Sequence, residues 1–132
     1  MVEDKDLKPG QPRLLATDTE VVVPINKIVK VLITSNDVLH AWAIPAFGIK
    51  MDTVPGRINE AWIRVPAEKA GVYRGQCSEL CGVNHGYMPI VIDAMPKQKF
   101  AKWLERAKKE FASNVGQVDL AQTKITIDTM VD

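Results

Sequence analysis

No stretch of this chain is apolar for long enough to span a bilayer, so no membrane-crossing helix can be read from its 132 residues. It has no internal repeat and no low-complexity tract, which excludes a solenoid or a disordered low-complexity chain. Neither sign of charge dominates. Seventeen Lys and Arg against sixteen Asp and Glu leave a formal net charge of +1, with no strong pull toward nucleic acid. The start, Met1-Val2-Glu3-Asp4-Lys5-Asp6, is acidic and polar, so it is not a signal peptide. Only two cysteines are present. That is too few for a disulfide-rich scaffold and does not settle the redox compartment.

What remains is the composition of one ordinary globular domain, expected over residues 1–112, with a C-terminal tail over 113–132. Lys8 to Pro12 reads as a turn or extended segment, and Arg13 to Thr17 as a short strand. Val21-Val22-Val23 is a β-branched strand that Pro24 ends or places at an edge. Ile28 to Thr34 is the strongest strand, and Ser35-Asn36-Asp37 is a turn. Val38 to Ile44 is a short apolar segment stopped by Pro45, and Phe47 to Gly56 reads as a long loop. Ile58 to Val65 alternates as a strand should, and Val72 to Gln76 and Ile90 to Ala94 bracket the cysteine loop as strands.

Short strands broken by turns predict an all-β sandwich or barrel. One C-terminal helix closes it. Pro96 fits its first turn, and Phe100, Trp103, Leu104, Ala107 and Phe111 recur at helical spacing to cover the sandwich. Lys124 to Asp128 alternates, and reads as an edge strand or as a frayed tail.

The chemistry concentrates in one run. Cys77, Cys81, His85 and Met88 are spaced C-x3-C-x3-H-x2-M, and the other histidine of the chain, His40, lies upstream. Thiolate, imidazole and thioether favour copper over magnesium, calcium or manganese. Other readings stand beside it. The cysteines could form a disulfide, act as a redox dithiol, or join the two histidines in a structural zinc site. Met88 speaks for copper over zinc, because thioether sulfur is a weak copper ligand.

A mononuclear copper site of the blue type needs only one cysteine. A binuclear centre accounts for the second: two thiolates bridge two copper ions, leaving one imidazole and one weak ligand for each. That reading recruits His40, whose ordinary role between Leu39 and Ala41 would be that of a core or surface histidine. Glu79 would ordinarily be a solvated carboxylate. Met51, Met95 and Met130 read as packing or surface residues, and Tyr73 and Tyr87 could wall the site against water. Trp42, Trp62 and Trp103 read as core or edge packing, although an exposed one near copper could serve electron entry.

These residues carry a resemblance. Tyr73 to Ile92 resembles the copper-ligand loop of cytochrome c oxidase subunit II, read there as Y-x-G-Q-C-S-E-x-C-G-x-N-H-x-x-M-P-I, and His40 to Asn59 is similar to that family's upstream ligand segment. The similarity covers roughly residues 7–111. It implies a cupredoxin-like Greek-key β-sandwich with a two-copper CuA centre. Cys77 and Cys81 would bridge both ions, His40 and Met88 would complete one, and His85 with the Glu79 carbonyl would complete the other. It also implies a magnesium ion held through the Glu79 side chain only in the intact complex.

The implied function is electron transfer from cytochrome c to haem in the catalytic subunit, with no bond chemistry in the domain itself. The parent complex would be the oxidoreductase, at the periplasmic face of a bacterial inner membrane or in the mitochondrial intermembrane space. Asp37 matches an acidic position near the cytochrome c docking face. Family members begin with two membrane helices and a Trp- and Tyr-rich strand that admits electrons; this chain shows neither, and is expected to be a soluble fragment without its membrane anchor. Glu60 stands where glutamine is usual. A thiol-disulfide or copper-chaperone protein and a mononuclear copper or zinc protein are the alternatives.

Overall fold

A computed structural model describes residues 1–111. The expected domain boundary after Ala112 and the tail reading, Lys124 to Asp128 included, lie outside these residues. Seven strands and one helix follow in order: β1 (Val21–Pro24), β2 (Ile28–Ile33), β3 (His40–Ile44), β4 (Ile49–Thr53), β5 (Asn59–Arg64), β6 (Gly71–Gln76), β7 (Pro89–Met95) and α1 (Lys97–Phe111). β7 is central to one sheet, with β1 parallel on one side and β6 antiparallel on the other. β2 and β5 pair antiparallel, and the β3–β4 hairpin lies between them in sequence. The architecture is the expected one, β-rich with one closing helix.

The alternation read from the sequence sets the burial. Along β5, Ala61 and Ile63 point inward while Glu60 and Arg64 point out, and Val65, just past its end, is buried too. Val91 and Ile92 on β7 are both buried, as a strand covered on two faces requires. Val23, Ile44, Ile63, Val65, Ile92 and Ala94 form the core cluster. Ile44 and Ile92 are fully buried, and each contributes about 1.5–3 kcal/mol by leaving water. α1 packs against β1. The Pro96 carbonyl accepts the first helical bond, from Phe100 N at 3.0 Å.

Four expectations need correction. Phe47 to Gly56 is not a loop throughout, because Ile49–Thr53 is β4, paired with β3 from Ile44↔Ile49 to His40↔Thr53. Arg13 to Thr17 is not a strand. Leu14 has φ 65°, a left-handed conformation incompatible with one. This segment is instead fastened to the sandwich by Arg74 Nη1 donating to the Leu15 carbonyl at 2.5 Å. Trp62 is 72% exposed and faces outward opposite Lys30. Phe111 is exposed at the end of α1, whose covering face is Phe100, Trp103, Leu104 and Ala107.

Candidate metal centre

The centre is assembled from two distant pieces of chain. β3 delivers His40 at its first residue, and β6 delivers Cys77 just past its last. Gly75 lets these strands approach: a Cβ there would lie 1.9 Å from the Ala43 carbonyl oxygen. The approach is latched by Ser78 N donating to the Ala41 carbonyl at 3.0 Å. The loop between β6 and β7 is closed at its base by Cys77 N to Met88 O at 3.1 Å. It is tied across its middle by Gln76 Nε2 to Gly86 O at 2.7 Å. A single 3-10 turn, His85–Tyr87, returns the chain and brings His85 back toward the sulfurs.

The two thiols are free, with Sγ atoms 3.7 Å apart. Cys77 Sγ lies 3.9 Å from His40 Nδ1 and 3.3 Å from the Glu79 carbonyl oxygen. Cys81 Sγ lies 3.6 Å from His85 Nδ1 and 3.5 Å from Met88 Sδ. Ligand atoms of His40, Cys77 and Cys81 all fall within 4.8 Å of one another. All six residues anticipated as ligands therefore converge on one spot. Each sulfur has its own imidazole, and each has a weaker donor beside it. Soft sulfur and imidazole donors at this density fit copper and do not suit a hard cation.

The Glu79 side chain has no hydrogen-bond or ion-pair partner among the described residues, so only its carbonyl is engaged here. Tyr73 does not wall the centre. Its ring lies tilted against Phe47, centroids 4.6 Å apart, and its hydroxyl donates to the Lys69 carbonyl. Tyr87 sits exposed on the ligand loop, as do Leu80 and Val83. Three residues support His40 in a role missed in the sequence, where Asp37 reads as a turn or docking carboxylate and Ser35 as a turn residue. Thr53 Oγ1 accepts from His40 N at 3.2 Å, Asp37 Oδ1 is 2.9 Å from His40 Nε2, and Ser35 Oγ is 2.8 Å from that same carboxylate oxygen. Only Asp37 carried a usable signal, an acid three residues before a histidine across a turn.

The electrostatics follow from the crowding. Burial raises the Cys77 thiol, but backbone groups of Glu79 and Ala41 and then the His40 and His85 rings outweigh it, bringing it well below the ordinary thiol value. Burial and the adjacent Cys77 push Cys81 up. His40 is raised by its bonds to Asp37 and Cys77, and Asp37 is lowered by His40 and Ser35. The pair of sulfurs titrates as a unit.

In the reduced, metal-free chain, ultraviolet thiolate absorbance should show one proton leaving below the ordinary cysteine range and the other above it. In Cys77→Ser, Cys81 should ionise earlier than in the parent. Two independent, ordinary titrations would contradict the crowding. Folding lowers the Cys77 value, so the unfolded chain holds more protons between the lowered and ordinary values. This contribution to stability is complete above the ordinary thiol value and is lost as pH falls through the lowered one.

Comparison with known proteins gives one consistent answer. The family described as cytochrome c oxidase subunit II, periplasmic domain, matches residues 1–95. The chain is 52% identical over 114 residues to a probable cytochrome c oxidase subunit 2 of Rickettsia bellii, covering 86% of this chain and 41% of that one. It is 50% identical over 110 residues to cytochrome c oxidase subunit 2 of Cereibacter sphaeroides, covering 81% and 36%. The chain thus spans well under half the length of these relatives.

The crystal structure of the periplasmic domain of subunit II of cytochrome oxidase of Bradyrhizobium japonicum superposes with TM-score 0.73 at 53% identity, covering 76% of this chain and 72% of that one. A second solved structure, a mixed disulfide intermediate between a thioredoxin-like protein and subunit II of cytochrome c oxidase, superposes with TM-score 0.67 at 50% identity, covering 80% and 72%. The expected cupredoxin-like sandwich is thereby borne out. With family profile, sequence relatives and fold in agreement over the segment that builds the copper-type donor cluster, the chain belongs to the cytochrome c oxidase subunit II family, of which it is the periplasmic domain.

Proposed function

We propose that residues 1–112 form an electron-transfer domain in which the Cys77 and Cys81 thiolates bridge two copper ions, receiving electrons from cytochrome c and passing them to haem in the catalytic subunit of a terminal oxidase. The observation that carries this is the pairing of donors. Two sulfurs 3.7 Å apart each stand beside a separate imidazole, His40 with Cys77 and His85 with Cys81. Met88 and the Glu79 carbonyl are the remaining ligands, one weak donor for each ion.

Bound copper supplies one-electron chemistry; everything else is the work of the chain. Backbone bonds from Ser78 to Ala41 and from Cys77 to Met88 fix the sulfurs before metal arrives. Donors held in advance need little movement when charge changes, which keeps electron transfer fast. The domain breaks no bonds itself, and the oxidoreductase is the parent complex. The Glu79 carboxylate is available to magnesium, whose other ligands would come from the catalytic subunit. No helix among the described residues is long and apolar enough to cross a membrane. In this reading the parent protein sits at the periplasmic face of a bacterial inner membrane, or in the mitochondrial intermembrane space.

A second reading gains support from the relative captured in a mixed disulfide with a thioredoxin-like protein. The Cys77–Cys81 pair, once oxidised, would be the client of such a partner. Partner dithiol plus chain disulfide would give partner disulfide plus chain dithiol, restoring the thiolates that metal binding requires. This makes thiol exchange a step of preparation and leaves the copper reading intact.

Loading the reduced chain with copper tests the proposal. The expected product is purple, carries two coppers per chain, and gives an EPR spectrum in which one unpaired electron couples to two equivalent copper nuclei. One copper with coupling to a single nucleus would overturn the binuclear reading. A colourless product with a Cys77–Cys81 bond would favour a thiol-exchange protein.

A further inference from the structure

We propose that Asp37 is a positioning residue, a carboxylate that locks the His40 ring in the tautomer and orientation that aim Nδ1 at the two sulfurs. The inference rests on the copper reading of the site but concerns a contact the ligand set does not include. The His40 ring, only 16% exposed, has a different neighbour at each nitrogen: Asp37 Oδ1 at 2.9 Å from Nε2, and Cys77 Sγ at 3.9 Å from Nδ1. An ionised carboxylate can only accept a hydrogen bond. The neutral ring therefore carries its proton on Nε2 and its lone pair on Nδ1, the side a metal would occupy.

Asp37 is itself held. Ser35 Oγ lies 2.8 Å from Asp37 Oδ1 and 2.6 Å from the Val38 carbonyl, so its one hydrogen serves one of these at a time. Asp37 N donates back to Ser35 Oγ at 3.3 Å. On the other flank, His40 N is fixed to Thr53 Oγ1 on β4. The ring is thus set at Nε2 and its backbone at β4 before any ligand is counted. His85 is held differently: its backbone N donates to the Gly82 carbonyl at 3.1 Å and its ring Nδ1 meets Cys81 Sγ, but among the described residues no carboxylate pairs with its ring. One imidazole has a carboxylate on its second nitrogen and the other does not. Loss of Asp37 should loosen one half of the centre.

The competing role for Asp37, whose side chain is 63% exposed, is that of a charge for a docking partner alone. Two measurements separate the roles. In metal-free, reduced protein with nitrogen-15 histidine, long-range proton–nitrogen correlations at a pH where the ring is neutral should show His40 as the Nε2–H tautomer. Asp37→Ala should give a tautomer mixture. After loading with copper(II), competition with a chelator should show affinity about 10- to 100-fold lower in Asp37→Ala. Asp37→Asn, which keeps an acceptor, should retain most of it. Glu68→Ala, which removes the same charge elsewhere, should match the parent.

A parent-like tautomer and parent-like copper affinity in Asp37→Ala, with only the salt dependence of the reaction with cytochrome c altered, would overturn the proposal. Should the parent chain take up no copper, the functional reading fails. The tautomer measurement on metal-free protein still decides whether Asp37 sets the ring.

Discussion

If the proposed two-copper centre forms, replacing Cys81 with serine should abolish it. Cys81 Sγ is the hub of the cluster, 3.7 Å from Cys77 Sγ, 3.6 Å from His85 Nδ1 and 3.5 Å from Met88 Sδ. A serine hydroxyl stays protonated near neutrality and is a hard donor, so it cannot replace a bridging thiolate. The purple colour should vanish, and any copper that remains should couple to one nucleus. The fold should be nearly untouched, because the Cys81 side chain is partly exposed and packs little core; its metal-free stability should lie within about 0.5 kcal/mol of the parent. A two-copper spectrum surviving in Cys81→Ser would remove the bridging assignment altogether.

Gly75→Ala should produce the largest loss of stability short of breaking the core. The new methyl carbon would lie 1.9 Å from the Ala43 carbonyl oxygen and 2.9 Å from both the Ala43 carbonyl carbon and Ile44 Cγ1. Two of these atoms are backbone and cannot rotate away. β3 and β6 must part, at a cost of about 3 kcal/mol, the upper end of overpacking penalties. Denaturant midpoints of the metal-free protein measure it. Parting the strands also pulls the Ser78–Ala41 latch and the His40–Cys77 approach, so copper retention should fall with stability. Gly86→Ala, whose methyl meets nothing within 4 Å, is the control. If Gly75→Ala were as stable as the parent, the close approach described here would be wrong.

The donors were legible because few residue types can do their chemistry: two cysteines and two histidines leave little choice, and their spacing restricts it further. The alternating strands were legible for the same kind of reason. β5 reads inward and outward in turn, and that pattern, not the size of the indole, should have put Trp62 outside beside Glu60 and Arg64. β4 was missed because Lys50, Met51 and Asp52 carry little strand preference; pairing with β3 makes the strand. Leu14 was misjudged because nothing in an apolar pair announces a left-handed backbone. The demand for Gly75 comes from Ala43, thirty-two positions away in sequence, and no local pattern reveals it.

The latch between Ser78 and Ala41 has a consequence for the order of events in making this protein. The stretch from Cys77 to Met88 holds five of the six anticipated donors, yet a peptide of that stretch would lack the sixth, which arrives only when β3 docks on β6. On the proposed copper reading, metallation would be a late event, a test that the two halves of the chain have already met. A newly synthesised polypeptide that stalls before that meeting would offer copper a loose, incomplete claw rather than a cradle.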